Sequence, residues 1–222
     1  MTWCNLLFLH WRLPESTIRH LVPKELEIDT FDGSAWVALV PFEMTKTSFK
    51  SVPPLPGLSQ FYECNVRTYV RHGSTSGVWF FSLDAERLLP VLGGRWLWSL
   101  NYVHSRFTVT EGDRTDYALT RRSSRRWPPG STRIAWTGGE ALPTSKPGSL
   151  EHFLTERYYL FTKRRGQIMA GRIAHDPWPL RKAELHELDD SLVAAAGIKV
   201  EGEPHVMMSD SIDVLGYKLA RC

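Results

Sequence analysis

The sequence is poor in cysteine and contains no long apolar run. Its three cysteines, Cys4, Cys64 and Cys222, are odd in number and far apart. They predict neither a disulfide framework nor a cysteine metal site, and they are typical of a reducing cytoplasm. The apolar run Leu6–Leu9 is stopped by His10 and has no basic leader before it. It is too short to span a membrane, so we interpret it as part of a strand and expect a cytoplasmic protein with no membrane partner.

Charge and motif patterns exclude further classes of function. The net charge is only +3, so overall electrostatics indicate no nucleic-acid partner. The densest basic run, Arg121–Arg126 followed by Trp127, stands beside a Pro-Pro-Gly loop; we interpret it as a solvated rim, with a phosphorylated or acidic ligand left open. His10, His104 and His175 are too far apart in sequence for the close ligand pairs typical of zinc. We expect no metal and no cofactor.

What the chain does contain is enough apolar material for a core. Hydrophobic residues make up 42% of the 222 residues, and nine Trp, 10 Phe and 7 Tyr favour aromatic-lined cores or pockets. The stretch Leu142–Gly148 is the best candidate for a linker. Division there would leave two incomplete sheets with open edges, so we predict a single domain over residues 1–222.

Most of the chain reads as short strands separated by turn signals, which predicts a mostly β barrel or sandwich. The turn Phe31–Ser34 is predicted to join the second and third strands in a hairpin, and Ser51–Ser59 is predicted to be a loop. The predicted strands are Trp3–Trp11, Glu25–Thr30, Ala35–Phe42, Gln60–Arg71, Gly77–Asp84, Arg106–Thr110, Tyr117–Arg122, Thr132–Thr137, Arg157–Thr162, Gln167–His175, His205–Ser209 and Ile212–Leu219.

Helices are expected to be few. Pro14–Leu21 and Ser149–Glu156 are predicted as short helices, with Ser149 as an N-cap. The longest prediction is Leu180–Ala196, because leucines recur there at helical spacing before Gly197. In Ala85–Leu97, one proline and a glycine pair argue against a helix.

One strand carries an unusual row of polar side chains. In Phe61–Arg71 the odd positions are Glu63, Asn65, Arg67 and Tyr69, whereas the even positions are mostly apolar. Side chains alternate across a strand, so the polar four share one face. In an open sheet that face would be wetted or would pair with charges on neighbouring strands. In a closed barrel it would line a cavity, where Arg67 suits a carboxylate and Glu63 suits proton transfer.

Nine segments spread over nearly the whole chain form a recognisable set in their order and spacing. They are Leu6–Trp11, Phe31–Gly33, Ala35–Val37, Val40–Phe42, Pro53–Gly57, Asn65–Val70, Gly77–Asp84, Phe153–Tyr158 and Trp178–Leu180. Together they resemble the YqjF-like family, which is itself similar to the acetoacetate decarboxylase superfamily. This resemblance implies a closed, mostly antiparallel β-barrel with a few peripheral helices and a central cavity.

The resemblance also implies a site, with one departure. Acetoacetate decarboxylases use a lysine Schiff base with a second lysine beside it, within a Trp-Gly-Tyr-Pro-Lys-Lys stretch. The similar segment here, Trp79–Asp84, places Leu83 and Asp84 at the lysine positions. Neither residue can form an imine, whereas Glu63 matches the superfamily's acid on the preceding strand. Of the lysines elsewhere in the chain, Lys218 is the hardest to dismiss as merely solvated.

These observations predict a small-molecule binding protein whose partner is an organic acid or related metabolite, and self-association is left open. Two alternatives remain: a lysine-independent lyase or hydrolase that uses Glu63 as general acid or base, and a structural protein whose barrel is filled by side chains. Glu63 is the candidate catalytic residue. The candidate ligand-binding residues are Asn65, Arg67, Tyr69, Trp79 and Asp84.

Overall fold

The structure, a computed structural model, describes residues 1–47, 59–122 and 126–222. It contains one thirteen-stranded sheet. The strands are β1 (Thr2–Leu13), β2 (Glu27–Ile28), β3 (Ala35–Thr45), β4 (Phe61–His72), β5 (Thr75–Ala85), β6 (Tyr102–Thr110), β7 (Arg114–Arg121), β8 (Ser131–Ala141), β9 (Tyr159–Arg164), β10 (Gln167–Ala174), β11 (Leu180–Asp190), β12 (His205–Asp213) and β13 (Leu215–Arg221). The helices are α1 (Glu15–Ile18), α2 (Leu88–Leu97), α3 (Leu150–Thr155) and α4 (Leu192–Ala195), and a 3-10 turn, Arg19–Leu21, follows α1.

The pairings of β4 and β5 organise the sheet. Nine strands pair in the order β4–β5–β6–β7–β8–β11–β12–β1–β3, and β3 pairs with β4, so that the series returns to its start. Strand β5 also pairs with β9, where Trp79 lies opposite Phe161. From β9 the strand order continues through β10 to β13. Val214 alone separates β13 from β12. The pairings are antiparallel except for β5–β6 and β5–β9, which are parallel.

Both faces of the central strands are buried. One face, here called the Tyr117 face, packs Leu7, Cys64, Val66 and Trp136 with Tyr117. The other, here called the Trp178 face, packs residues of β1, β3, β4 and β5 with Trp178 and with partly buried side chains of β10 and β13. The same strands therefore separate two apolar layers, and any polar side chain on them must find a partner inside the protein.

The helix predicted over Leu180–Ala196 is wrong. Residues Leu180–Asp190 form β11, and only the four residues of α4 that follow are helical. The register of β11 against β8 shifts between Leu185 and Glu187, which marks a bulge. Leu185 and Leu188 therefore lie opposite Trp136 and Ile134, on one face although they are three residues apart. A bulged strand imitates helical spacing in this way.

The hairpin predicted across Phe31–Ser34 is also wrong. The turn exists, with Phe31 and Ser34 exchanging backbone hydrogen bonds. However, β2 pairs with β4, through Ile28 opposite Val70, and not with β3. The turn only reverses the direction of the chain, and β2 before it pairs with β4, which is far away in sequence.

The region Ala85–Leu97 contains a helix, although its proline and its glycine pair argued against one. Pro90 is the third residue of α2, where a missing N–H breaks no helical hydrogen bond. Gly94 allows a close approach: a Cβ there would lie 2.3 Å from the ring of Tyr102. Helix propensity disfavours a glycine at position 94, but the packing of the Tyr102 ring leaves no room for a Cβ there.

Other predicted helices and strands are confirmed. The helices at Pro14–Leu21 and Ser149–Glu156 are confirmed, and the Ser149 hydroxyl accepts a hydrogen bond from the His152 N–H. The predicted strands that correspond to β4, β5, β6, β7, β9 and β10 are confirmed as well, and they pair as the antiparallel hairpins β4–β5, β6–β7 and β9–β10. The predicted loop Ser51–Ser59 lies, apart from Ser59, outside the described residues. Within the described ranges no helix combines the length and hydropathy required to cross a bilayer.

Candidate functional site

The polar row of β4 lies on one face, as predicted, and is buried. Glu63, Asn65, Arg67 and Tyr69 are all less than 9% exposed, on the Trp178 face together with Phe61. A glutamate and an arginine are seldom buried unless they are paired. Their partners, or the lack of partners, therefore decide what this face can do.

The structure does not bring Trp79 and Asp84 to the polar row. The strand register places Asp84 opposite Cys64 and Trp79 opposite Thr68. Both candidates therefore lie on the Tyr117 face, across the sheet from Arg67. The structure therefore separates Trp79 and Asp84 from the polar row, and their predicted role in ligand binding stays a prediction.

Asp84 is engaged by a buried arginine. Arg121 Nε and Nη2 donate to its two carboxylate oxygens, each at 2.9 Å, and Ser105 Oγ donates to Oδ1 at 2.7 Å. Arg121 Nη2 also donates to Ser82 Oγ at 2.8 Å. This bidentate geometry is the strongest form of an ion pair, and it leaves little of Asp84 for a ligand. The residue predicted to begin a solvated basic rim, Arg121, is instead part of the core.

Arg67 differs from Arg121 in having no counter-ion. Among the described residues, no carboxylate lies within ion-pairing distance of its guanidinium. Its Nε is buried without a hydrogen-bond partner. The guanidinium carbon instead lies 5.8 Å from the centre of the Phe8 ring and 6.0 Å from that of Tyr69. Burial of a charge without a counter-ion is costly, and the two rings and a polar contact with Tyr69 compensate only part of that cost.

His10 and Tyr69 form a hydrogen-bonded chain beside Arg67. Tyr69 Oη donates to the Leu154 carbonyl at 2.9 Å, so the His10 Nε2 that lies 2.7 Å from it must donate its own proton to Oη. Burial, then Arg67, then His205 hold the pKa of His10 well below its usual range. His10 is therefore neutral, and its Nδ1, buried and without a partner, presents a lone pair.

Further polar atoms without partners are buried on the same face. Asn65 Oδ1 and Trp36 Nε1 on neighbouring strands are two of them, and His205 Nε2 is a third. His205 lies opposite His10 in the β1–β12 register. We call the residues His10, Asn65, Arg67, Tyr69 and His205 the Arg67 cluster. Native proteins leave few buried polar atoms unsatisfied, so the Arg67 cluster is the candidate site of this face.

Sequence reasoning overlooked the histidines of this cluster. His10 stands in an otherwise apolar run at an even position with Leu6 and Phe8, and strict alternation could have put it on a buried face. Nothing local identifies His205, because only the pairing of β1 with β12 brings it to His10.

Glu63 lies toward the other end of the row. Its Oε2 accepts a hydrogen bond from Tyr102 Oη at 2.9 Å. Burial raises the pKa of Glu63 to about 8, against the lowering effect of the Tyr102 hydrogen bond, and Asp84 adds to the rise. The carboxyl is thus mainly protonated at neutral pH and can donate a proton. Glu63 and Arg67 are separated along β4 by roughly 13 Å, so only an extended ligand reaches both.

The pH dependence of stability should reveal the proton on Glu63. The unfolded carboxyl ionises near 4.5 and the folded one near 8. The stability it provides is complete below the lower value and is lost as the pH rises through the upper one. In Glu63→Gln, which has no such proton, this loss should vanish. The difference in unfolding free energy between variant and wild type should change by about 1.4 kcal/mol per pH unit between about pH 5 and about pH 7.5. Urea denaturation across that range measures it, and parallel pH profiles would contradict the assignment.

Two residues near the polar row in sequence or in space have other roles. Arg157 forms an ion pair with Asp29 and donates to the Phe153 carbonyl. Trp79 lines a separate cavity of about 370 Å³ with Phe161 and other residues. Within the described ranges, no group of three or more His, Cys, Asp or Glu residues could hold a metal ion.

Comparison with known proteins identifies the family. The family model DUF2071, described as an uncharacterized conserved protein, matches residues 1–213. The uncharacterized protein YqjF of Bacillus subtilis is 36% identical over 222 residues, which span 99% of this chain and 90% of that protein.

Solved structures show the fold. An acetoacetate decarboxylase-like enzyme from Sphingomonas wittichii has a TM-score of 0.66 at 11% identity, over 100% of this chain and 91% of that one. The enduracididine biosynthesis enzyme MppR, complexed with pyruvate, has a TM-score of 0.65 at 14% identity, over 99% and 88% of the two chains. Acetoacetate decarboxylase from Legionella pneumophila has a TM-score of 0.60 at 12% identity, over 99% and 87%. The chain therefore belongs to the YqjF-like DUF2071 family and has the mostly β fold of acetoacetate decarboxylase-like proteins.

Proposed function

We propose that this protein binds a small organic acid in the Arg67 cluster. The observation that carries the proposal is a buried guanidinium without a carboxylate partner among the described residues. A carboxylate matches the forked donors of arginine, and it would compensate the cost of burying that charge.

The neighbouring atoms indicate what the rest of the ligand carries. Neutral His10 Nδ1 and Asn65 Oδ1 are both acceptors in need of a donor, which a hydroxyl group would supply. Phe8 and Trp178 stack edge to face, with ring centres 5.1 Å apart, and give the site an apolar wall. A short carboxylate with a hydroxyl or enol group and a small apolar body fits this combination.

In this proposal the site lies inside a closed barrel within a single domain in the cytoplasm. The series β12–β1–β3–β4–β5–β9–β10–β13 supports this proposal, because its strands contribute side chains to the Trp178 face and Val214 joins its two end strands along the chain. The pyruvate complex of MppR supports a carboxylate ligand for this fold, although at 14% identity it indicates no residue role here.

Thermal melting in the presence of pyruvate tests the proposal. A ligand that binds only the folded state raises its stability by RT ln(1 + [L]/Kd), about 2.7 kcal/mol at one hundred times Kd. The melting temperature should rise with pyruvate and not with pyruvamide, which has a similar size and no charge. Equal effects of the two compounds, or none from a panel of short carboxylates, would reject carboxylate binding and favour a filled barrel.

A second function, lysine-independent acid–base catalysis, rests on Glu63. Its raised pKa makes it a proton donor at neutral pH, with the Tyr102 hydroxyl to position it. The seven lysines that the structure describes are all exposed, whereas a Schiff-base lysine requires a desolvated or cationic environment.

Borohydride trapping should therefore leave the protein unmodified. We expect no increase in intact mass after incubation with acetoacetate and borohydride, because no described lysine is placed to form an imine. A protein known to form the imine serves as the positive control. An adduct mapped to any lysine would show that the chain retains Schiff-base chemistry.

A further inference from the structure

Helix α2 presents its larger apolar face to solvent. Leu88 is 50% exposed, Leu89 59%, Leu92 48%, Trp96 78% and Leu97 44%. We call these five residues the α2 face. Amphipathic surface helices normally turn such residues toward the core, so this orientation requires a partner.

The orientation of α2 is fixed by its opposite side. Val91 is fully buried there, and the ring of Tyr102 packs directly over Gly94. At the C-terminal end, the Trp98 ring lies against Gly171 of β10 and Gly216 of β13. Rotation that would bury the α2 face would break these contacts, so the leucines cannot simply turn inward.

The α2 face has the size and shape of one half of a dimer contact. Its exposed apolar area is on the order of 500 Å², comparable with the apolar part of the ~800 Å² that each partner contributes to a standard interface. Leu88, Leu92 and Trp96 follow at intervals of four residues and form a single ridge along the helix. Ridges of this spacing pack into the grooves between identical ridges on another helix.

We infer that the α2 face binds the α2 face of a second copy of this chain. The two helices run antiparallel across a two-fold axis near Leu92. Leu88 of one protomer then packs on Trp96 of its partner, and the reverse contact completes the pair. An isologous contact of this kind needs a self-complementary surface, and a ridge centred on Leu92 provides one.

The charges beside α2 favour a protein partner over a membrane. A helix that lies on an anionic bilayer carries lysines or arginines that are available to the lipid head groups. Here Arg87 Nε lies 3.7 Å from Glu86 Oε2, and Arg95 Nε donates to the Tyr102 carbonyl at 2.7 Å. Both arginines next to the α2 face are thus directed to their own protein.

Solution mass provides the first test. By light scattering, the wild type should have twice the chain mass of 25.4 kDa, and Leu92→Asp should have the mass of one chain. Leu215→Asp is the matched control, because Leu215 is 65% exposed on β13, outside the α2 face; it should remain dimeric. A monomeric wild type, or a Leu92→Asp variant that is still dimeric, would overturn the inference.

Cross-linking tests the same contact with a substitution that introduces no charge. In a background without the accessible thiols, Cys4→Ser and Cys222→Ser, the substitution Leu92→Cys should give a disulfide-linked dimer under mild oxidation, since Cys64 is buried. Leu215→Cys should not cross-link. If Leu92→Cys stays monomeric while the wild type sediments with anionic phosphatidylserine vesicles, the α2 face is a membrane contact and the dimer is rejected.

Discussion

Replacing Arg121 with methionine should lower the free energy of unfolding by about 3–5 kcal/mol, because it leaves the Asp84 carboxylate buried and unpaired. The two side chains of this pair are only 2% and 0% exposed. Methionine retains much of the arginine stem and loses all the donors that Asp84 and Ser82 require. Urea denaturation of the variant and the wild type measures the difference.

Two further variants separate the buried charge from the loss of any arginine. Arg133 and Glu187 form an exposed pair at 3.8 Å, with side chains 67% and 41% exposed, so Arg133→Met should cost less than about 1 kcal/mol. The double variant Asp84→Leu, Arg121→Met removes both charges and should recover part of the stability. If Arg121→Met were as mild as Arg133→Met, the buried Asp84–Arg121 ion pair would contribute no more to stability than an exposed pair, which would contradict this prediction.

Unlike Arg121→Met, the substitution Arg67→Leu should not destabilise the ligand-free protein, and it should abolish the binding of pyruvate. Because Arg67 has no described counter-ion, leucine removes an uncompensated charge, and the stability without ligand should be unchanged or higher. The stabilisation by pyruvate, about 2.7 kcal/mol at one hundred times the wild-type Kd, should disappear. Paired melting curves with and without pyruvate give both quantities.

Conservative and distant substitutions control this result. Arg67→Lys keeps the charge but not the fork of donors, so it should weaken binding without abolishing it. Arg172→Leu removes an exposed arginine on β10, whose guanidinium lies over the Tyr217 ring, and should leave pyruvate binding intact. Severe destabilisation by Arg67→Leu without ligand would instead mean that Arg67 has a structural partner within the protein.

Local pattern was sufficient to find the polar row of β4. Period-two alternation put Glu63, Asn65, Arg67 and Tyr69 on one face, and the structure confirms this. Alternation could not reveal that the face is buried, because side chains that pack on it come from β9, β10 and β13, near the other end of the chain. The resemblance to a known family supplied that part of the prediction.

Partners distant in sequence were beyond prediction. Arg121 is 37 residues from Asp84, and only the pairing of β6 with β5 and β7 brings them together. His205 reaches His10 through the β1–β12 register. Strand register depends on side-chain packing over the whole sheet, so the pattern within one strand does not predict which polar residues become neighbours.

A crystal structure of the protein grown with saturating pyruvate would show whether Arg67 binds the carboxylate. We expect a carboxylate bound to the Arg67 guanidinium by two hydrogen bonds of about 2.7–2.9 Å. Pyruvate bound only elsewhere, for example in the cavity beside Trp79 and Phe161, with Arg67 contacting protein atoms alone, would contradict it.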